Sequence, residues 1–426
     1  MSSPQTSYNS GTKSGTQCSW VVLEVVSYFK RHDTPVMAAF CDMTKAFDMC
    51  VFSTLFGKVL DRKVPAIIVR GLLWIYRYQR CWVRWSTGAV SRQFGVSNST
   101  RQGSCLSPCL YSVYCDNMLQ ELRDSGAGCY AGDVFVGAVS FADDLAILAP
   151  SRDGLQKLLD ICDRYAASHN LQFSTHPDAN KSKTKTVYFP VGRERRPAQL
   201  SLCGRLLPWV DQAAHLGHEI HKSGSPEVDC NMARGRYIGT SSEVLAMFNF
   251  ASPEQKLIAI QTYCCSWYGS MLWEFYSDTA ERAFRSWSTT VKIAHNLPRH
   301  TRTFILEHYL SGSLPSVRQM ILRRYVQFLQ GLLSSSNPAV CHLANLAVAT
   351  NLSVTGRNVS RMREEFGRDP VTCHKREIVV KKCEMPEDGE ENIELLDRLL
   401  QQRSNEMDED VLSELNQLIT DVCTRR

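Results

Sequence analysis

Three aspartates stand where carboxylate chemistry would be expected. Asp143 and Asp144 are adjacent, between the apolar runs Val134–Phe141 and Leu145–Ala149, and Asp42 closes the apolar run Val36–Cys41. An Asp-Asp pair by itself says little, since one arises by chance in a chain of this size. The setting says more. Adjacent carboxylates between hydrophobic strands push each other's pKa upward unless a cation intervenes. Hard oxygen donors select Mg2+ or Mn2+, and a third carboxylate on a neighbouring strand would complete a bridge between two ions roughly 3.5 to 4 Å apart. Such ions activate a hydroxyl and stabilise charge on a transferring phosphate, leaving the protein mostly the work of positioning. The alternative is a pair of surface-turn aspartates and an unrelated strand-end one, which leaves the apolar flanks unexplained.

The elements that must position these groups follow from patterning. Val36–Cys41 reads as a buried strand delivering Asp42 at its end, and Val51–Leu60 as a helix. Ser104–Leu122 reads as a helix with Pro108 in its first turn. The runs around Ala142-Asp143-Asp144 form a hairpin pattern, and Thr186–Phe189 is a further strand. Ser151 caps a helix whose Leu155, Leu158, Leu159, Cys162 and Ala166 recur on one face. This order implies an α+β domain with helices on a mainly antiparallel sheet. Between these elements, Leu72–Trp85 mixes aromatic residues and arginines; it reads as an amphipathic strand pair with a solvated basic side, or as a nucleic-acid contact through Arg80 and Arg84. Beyond Lys222 helical patterns take over, at Glu254–Tyr276, Ala280–His295 and Leu314–Leu332. The tail from Glu384 is acidic, with amphipathic patterns around Ile393–Leu400 and Val411–Ile419.

Composition sets outer bounds. The chain has 426 residues, 44% of them hydrophobic, which is enough for two or three subdomains. Its formal charge of +5 permits nucleic-acid binding without arguing for it. No run reaches the roughly 18 uncharged apolar residues of a spanning helix and the first residues are polar, so a soluble, intracellular (cytoplasmic or nuclear) protein without membrane association is expected. Seventeen cysteines lack the spacing of a disulfide scaffold and are read as reduced thiols. Cys341-His342, Cys373-His374 and Cys383 lack the CxxC pairs of a usual zinc site.

The ordered segments MAAFCDMTKAFD (37–48), RQGSCLSPCLYSVY (101–114), SFADDLAIL (140–148), NKSKTKTVYF (180–189) and HLGHEI (215–220) resemble the successive palm motifs of reverse transcriptases from non-LTR, LINE-type (jockey-like) retrotransposons. NLPRHTR (296–302) resembles part of their thumb. The resemblance implies a right-hand polymerase palm with partial fingers and an all-helical thumb. The division it suggests is a fingers remnant at 1–35, palm with a fingers insertion at 36–221, thumb or connector at 222–335, and an acidic helical tail at 336–426. It implies RNA-directed DNA polymerisation from a DNA primer on an RNA template with dNTP substrates.

Carried over residue by residue, the resemblance makes Asp42, Asp143 and Asp144 ligands of two Mg2+ or Mn2+ ions. Phe47 becomes the aromatic that excludes a ribose 2′-hydroxyl, and Gln102 and Gly103 line the nucleotide pocket. Lys183 becomes a general acid near pyrophosphate, with Lys181 and Lys185 competing for that role. Arg80, Arg84, Arg299, Arg302 and Arg323, together with Arg318 and Arg324, are candidate phosphate contacts.

Two departures stand out. The family's basic fingers residues have no counterpart before the first motif, and Ser99 occupies a loop position often held by glycine, where a side chain strains the turn. The shortened fingers leave open a catalytically silent descendant acting as an RNA-binding or scaffold protein. A two-metal phosphohydrolase is disfavoured, because no histidine stands ready beside the aspartates to activate water.

Overall fold

The computed structural model describes residues 14–380, apart from 97, 101–102, 177, 179–180, 194, 303–305 and 307–315, together with 393–395, 397–398 and 401. Two compact units emerge, 1–225 with 332–347, and 226–331 with 348–426. The expected boundary at 335/336 is thus drawn elsewhere: the stretch containing most of the helix Pro338–Val348 is grouped with the first unit. Its Ala339 and Val340 face the same small apolar hollow as Val21, Val136 and Val139.

The first unit is built on a five-stranded sheet whose strands lie, from edge to edge, in the order Trp209–Val210, Lys185–Phe189, Val36–Cys41, Asp144–Ala149, Ala138–Phe141. Its strands are β1 (Val36–Cys41), β6 (Ala138–Phe141), β7 (Asp144–Ala149), β8 (Lys185–Phe189) and β11 (Trp209–Val210). Short pairs flank it: β2 (Arg80–Cys81) with β3 (Phe94–Gly95), β4 (Tyr130–Ala131) with β5 (Val134–Phe135), β9 (Ser201–Leu202) with β10 (Arg205–Leu206), and β12 (Gln212–His215) with β13 (His218–His221). β1 runs antiparallel to both β7 and β8, and only β11 is parallel to its neighbour.

β1 is buried at every position because both faces of the sheet are covered. Alternation sorts its side chains. Met37, Ala39 and Cys41, with Leu145, Ile147 and Ala149 of β7, join the core made with α2 (Phe52–Asp61), α4 (Ser107–Asp124) and α5 (Arg152–Ser168). The predicted stripe of α5 is fully or nearly buried, and Ser151 accepts a hydrogen bond from Gly154 N at 3.1 Å as its cap. The opposite face meets α1 (Gly15–Arg31), which packs on β1, β6 and β13.

Two expected elements differ. Leu72–Arg77 is not strand but the end of α3 (Ala66–Arg77), which turns Val69 and Tyr76, a two-turn spacing, into the core; the strand pair begins only at Arg80. Gly137 also splits the expected Val134–Phe141 strand. A Cβ there would sit 2.7 Å from Cys129 N, so the chain backbone passes too close for any other residue.

The second unit is helical among its described residues. It contains α6 (Glu227–Met247), α7 (Pro253–Tyr263), α8 (Asp278–Ala294), and the helices Val317–Leu333 and Val354–Phe366. The expected helix Glu254–Tyr276 stops at Tyr263, because Trp267 (φ 44°) and Gly269 (φ 90°) take left-handed backbone. That break lets Trp267 stack on Tyr237 at 4.5 Å and Trp273 bury completely, its indole N–H donating to Asp229 at 3.2 Å. The acidic tail patterns fall largely outside the described residues. No helix among the described residues is long and apolar enough to cross a membrane.

Candidate active site

Strand register assembles the carboxylates. Cys41 pairs with Leu145, so the next residue, Asp42, leaves β1 beside the start of β7, where Asp144 pairs with Phe141 across the turn. The turn is a two-residue loop, Ala142-Asp143. Ala142 has φ 53°, a left-handed conformation that an alanine adopts at a cost and that a tight hairpin demands at this position.

Asp42 is secured by its backbone. Its N–H donates to Thr184 Oγ1 at 3.3 Å, and its carbonyl accepts from Ser174 N at 2.8 Å. Thr184 is fully buried, a positioning residue that the sequence did not single out. Its only signal was alternation with Thr186 in the KTKT segment.

The charges are coupled. Burial, then repulsion from Asp143 and from Asp42, pushes the Asp144 carboxyl up to about 6, with Lys183 opposing. Asp42 is likewise raised, first by burial and then by Asp143, against the pull of the Lys183 ammonium. Lys183 Nζ lies 3.7 Å from Asp42 Oδ2 on a largely exposed side chain, so Lys183, rather than Lys181 or Lys185, holds the place beside the carboxylates. Among the described residues no three His, Cys, Asp or Glu side chains stand together as a ready-made metal cage, these aspartates included. Their donor chemistry nevertheless fits a hard divalent cation: three carboxylates, two with raised pKa, act on one another electrostatically, and Lys183 only partly opposes them. Asp42, Asp144 and Lys181, Lys183 and Lys185 line a cavity of about 430 Å³, together with Phe40 and residues 214–217.

Phe47 lies in the turn after Asp42, half-buried, its ring 4.8 Å from Tyr111. Gly103 has φ 82° with open space where a Cβ would point, so conformation rather than crowding calls for glycine there. Gln102 lies outside the described residues. Ser99 takes φ 101°, the left-handed backbone that the departure from glycine implied, and its hydroxyl donates to Asp48 Oδ1 at 3.3 Å.

The candidate phosphate contacts fall into distinct settings. Arg80 and Arg84 are exposed on a hairpin that continues through an Arg84–Val90 bridge, and alternation puts Trp82 on their face. In the second unit Arg299 is exposed and Arg302 half-exposed. Arg323 donates through Nε to the Ile378 carbonyl at 3.0 Å, and Arg324 to Ser266 O at 2.9 Å. Arg318 forms a two-pronged pair with Glu365 at 2.7 and 2.8 Å. These last three are tied into the packing of their own unit.

The HLGHEI segment holds groups whose role the sequence did not disclose. His215 and His218 are buried; the Ser19 hydroxyl lies 2.8 Å from His215 Nδ1, and His218 Nε2 lies 3.3 Å from Thr16 Oγ1. They join the β12–β13 hairpin to α1.

Comparison with known proteins agrees with this layout. Residues 1–220 match the family model described as reverse transcriptase (RNA-dependent DNA polymerase). The chain is 31% identical over 206 residues to the retrovirus-related Pol polyprotein from type-1 retrotransposable element R2 of Nasonia vitripennis, covering 46% of this chain and 19% of that protein. It is 25% identical over 248 residues to the corresponding polyprotein of type-2 element R2DM of Drosophila melanogaster, covering 56% and 22%. The chain thus spans about a fifth of the length of these relatives. Telomerase structures from Candida tropicalis and Candida albicans align at TM-scores of 0.39 and 0.35 with 10% identity, covering 81% and 84% of this chain and 50% and 52% of theirs; so slight a likeness carries no argument. The resemblance to non-LTR retrotransposon reverse transcriptases, and with it the polymerase palm on an α+β sheet, is borne out. With just over half of its length matched by the family model, and the aspartates standing at the ends of adjacent palm strands, the chain belongs to the reverse transcriptase (RNA-dependent DNA polymerase) family.

Proposed function

We propose that this chain is the catalytic core of a retrotransposon RNA-directed DNA polymerase, extending a DNA primer on an RNA template with dNTPs. The observation that carries this is the strand register that brings Asp42 beside the Asp143-Asp144 turn, with the electrostatic coupling that results. Asp42, Asp143 and Asp144 would hold two Mg2+ or Mn2+ ions, which supply activation of the primer 3′-hydroxyl and stabilisation of charge on the transferring phosphate. The chain's own residues do the rest. Lys183 holds a proton at Nζ beside the carboxylates, available to the departing pyrophosphate. Phe47 closes the sugar side of the nucleotide site against a 2′-hydroxyl, and Gly103 contributes to the same pocket. Arg80 and Arg84, flanking Trp82 on one hairpin face, offer cations and a stacking surface to the template, and Arg299 and Arg302 contact phosphates from the helical unit.

The test is primer extension on an RNA template with Mg2+, wild type against Asp143→Asn. Loss of a ligand should abolish extension while leaving unfolding and RNA binding nearly unchanged. Extension by the variant at the wild-type rate would sink the assignment. RNA binding without extension by the wild type would favour the silent RNA-binding descendant instead.

A further inference from the structure

We infer that Tyr111 is a positioning residue for the sugar gate, setting discrimination between deoxyribo- and ribonucleotides through its hold on Phe47. The inference rests on Phe47 facing the nucleotide sugar.

A steric gate works only if it cannot yield, and Phe47 stands on a segment with little stiffness of its own. Thr44–Met49 is a turn, begun at Lys45 by a left-handed φ of 48° and closed by hydrogen bonds of 2.9 and 3.1 Å from Asp48 N and Met49 N to Lys45 O. The rigidity has to come from outside, and the second motif together with the residue just before it supplies it at two points. The Phe47 carbonyl accepts from Thr100 N at 2.8 Å, with Thr100 Oγ1 at 3.4 Å, and Thr100 is fully buried. On the side-chain side the Phe47 ring rests on Tyr111, centroids 4.8 Å apart and planes at 37°.

Tyr111 is suited to this work because packing encloses it. It is completely buried in α4 among the core residues of the sheet. Burial, with Cys115 nearby, holds its phenol far above the ordinary range, so it remains protonated. Its O–H lies 2.9 Å from Met43 Sδ. Met43 directly follows Asp42, so a single side chain spans from the neighbour of a carboxylate to the gate. A displacement of about 1 Å in such a support suffices to spoil a reacting geometry. Tyr111 does not touch the nucleotide in this scheme; it acts through Phe47.

The experiment compares rNTP with dNTP incorporation by wild type, Phe47→Ala, Tyr111→Leu, Tyr111→Phe and the double variant Phe47→Ala/Tyr111→Leu. Tyr111→Met, close to tyrosine in reach and able to fill an irregular core, serves where Tyr111→Leu does not fold. The expected result is a severalfold rise in the rNTP:dNTP ratio for Tyr111→Leu or Tyr111→Met, and restoration of selectivity by Tyr111→Phe, which keeps the ring. The double variant should be no less selective than Phe47→Ala alone, since both changes act through one ring. Equal loss with both nucleotides at an unchanged ratio would overturn the proposal, because a merely structural residue behaves that way. An unchanged ratio in Phe47→Ala would instead refute the gate itself, an outcome separate from failure of the Tyr111 link.

Discussion

The buried His215 should make the first unit sensitive to acid. His215 is 4% exposed, beneath Phe40 at a ring separation of 5.1 Å, with the Ser19 hydroxyl at its Nδ1. Burial first, and the nearby His218 second, lower its pKa to about 3. Asp42, Asp144 and Lys181, Lys183 and Lys185 line the same cavity. In the unfolded chain the imidazole titrates near 6.5. The folded pKa is the lower one, so the unfolded state takes up a proton first as pH falls, and stability present above about 6.5 is lost progressively down to about 3. At pH 5 this single group should cost about 2 kcal/mol, a sizeable share of the 5 to 15 kcal/mol typical of a domain. The assay is urea unfolding at pH 7, 6 and 5 for wild type and His215→Asn, which keeps an acceptor for Ser19 but does not titrate. Wild type should lose about 2 kcal/mol more than the variant between pH 7 and pH 5. Parallel pH profiles would show instead that His215 protonates as readily folded as unfolded.

Two further outcomes are expected. Changing Arg299 and Arg302 together to Ala should flatten the slope of log RNA affinity against log salt by up to about two units, somewhat less on single strands, independently of sequence; an unchanged slope would move the binding surface to the Arg80–Arg84 hairpin. Leu158, fully buried on α5, should cost about 2 to 5 kcal/mol when changed to Ala, read by denaturant midpoint at unchanged m-value.

Much of this protein is local in origin, and that part was legible in its residues. The burial of β1 followed from an unbroken apolar run, the helix after Ser151 from its cap and stripe, and the Asp143-Asp144 hairpin from apolar runs around a short acidic turn. The left-handed backbone at Ser99 was expected only through the resemblance, in which glycine often holds that loop position. Other features depend on partners remote in the chain, which no local pattern encodes. Leu72–Arg77 is helical because Val69 and Tyr76 find a core to fill, though its residues suit a strand equally well. Trp267 breaks a helical pattern because its ring has Tyr237 to stack against. Asp42 meets Thr184 across 142 positions, and Ser19 meets His215 across 196. The types and order of the candidate site groups were thus written in the sequence, whereas strand register and core packing alone decided which carboxylates face one another, which lysine stands beside them, and what holds Phe47 in place.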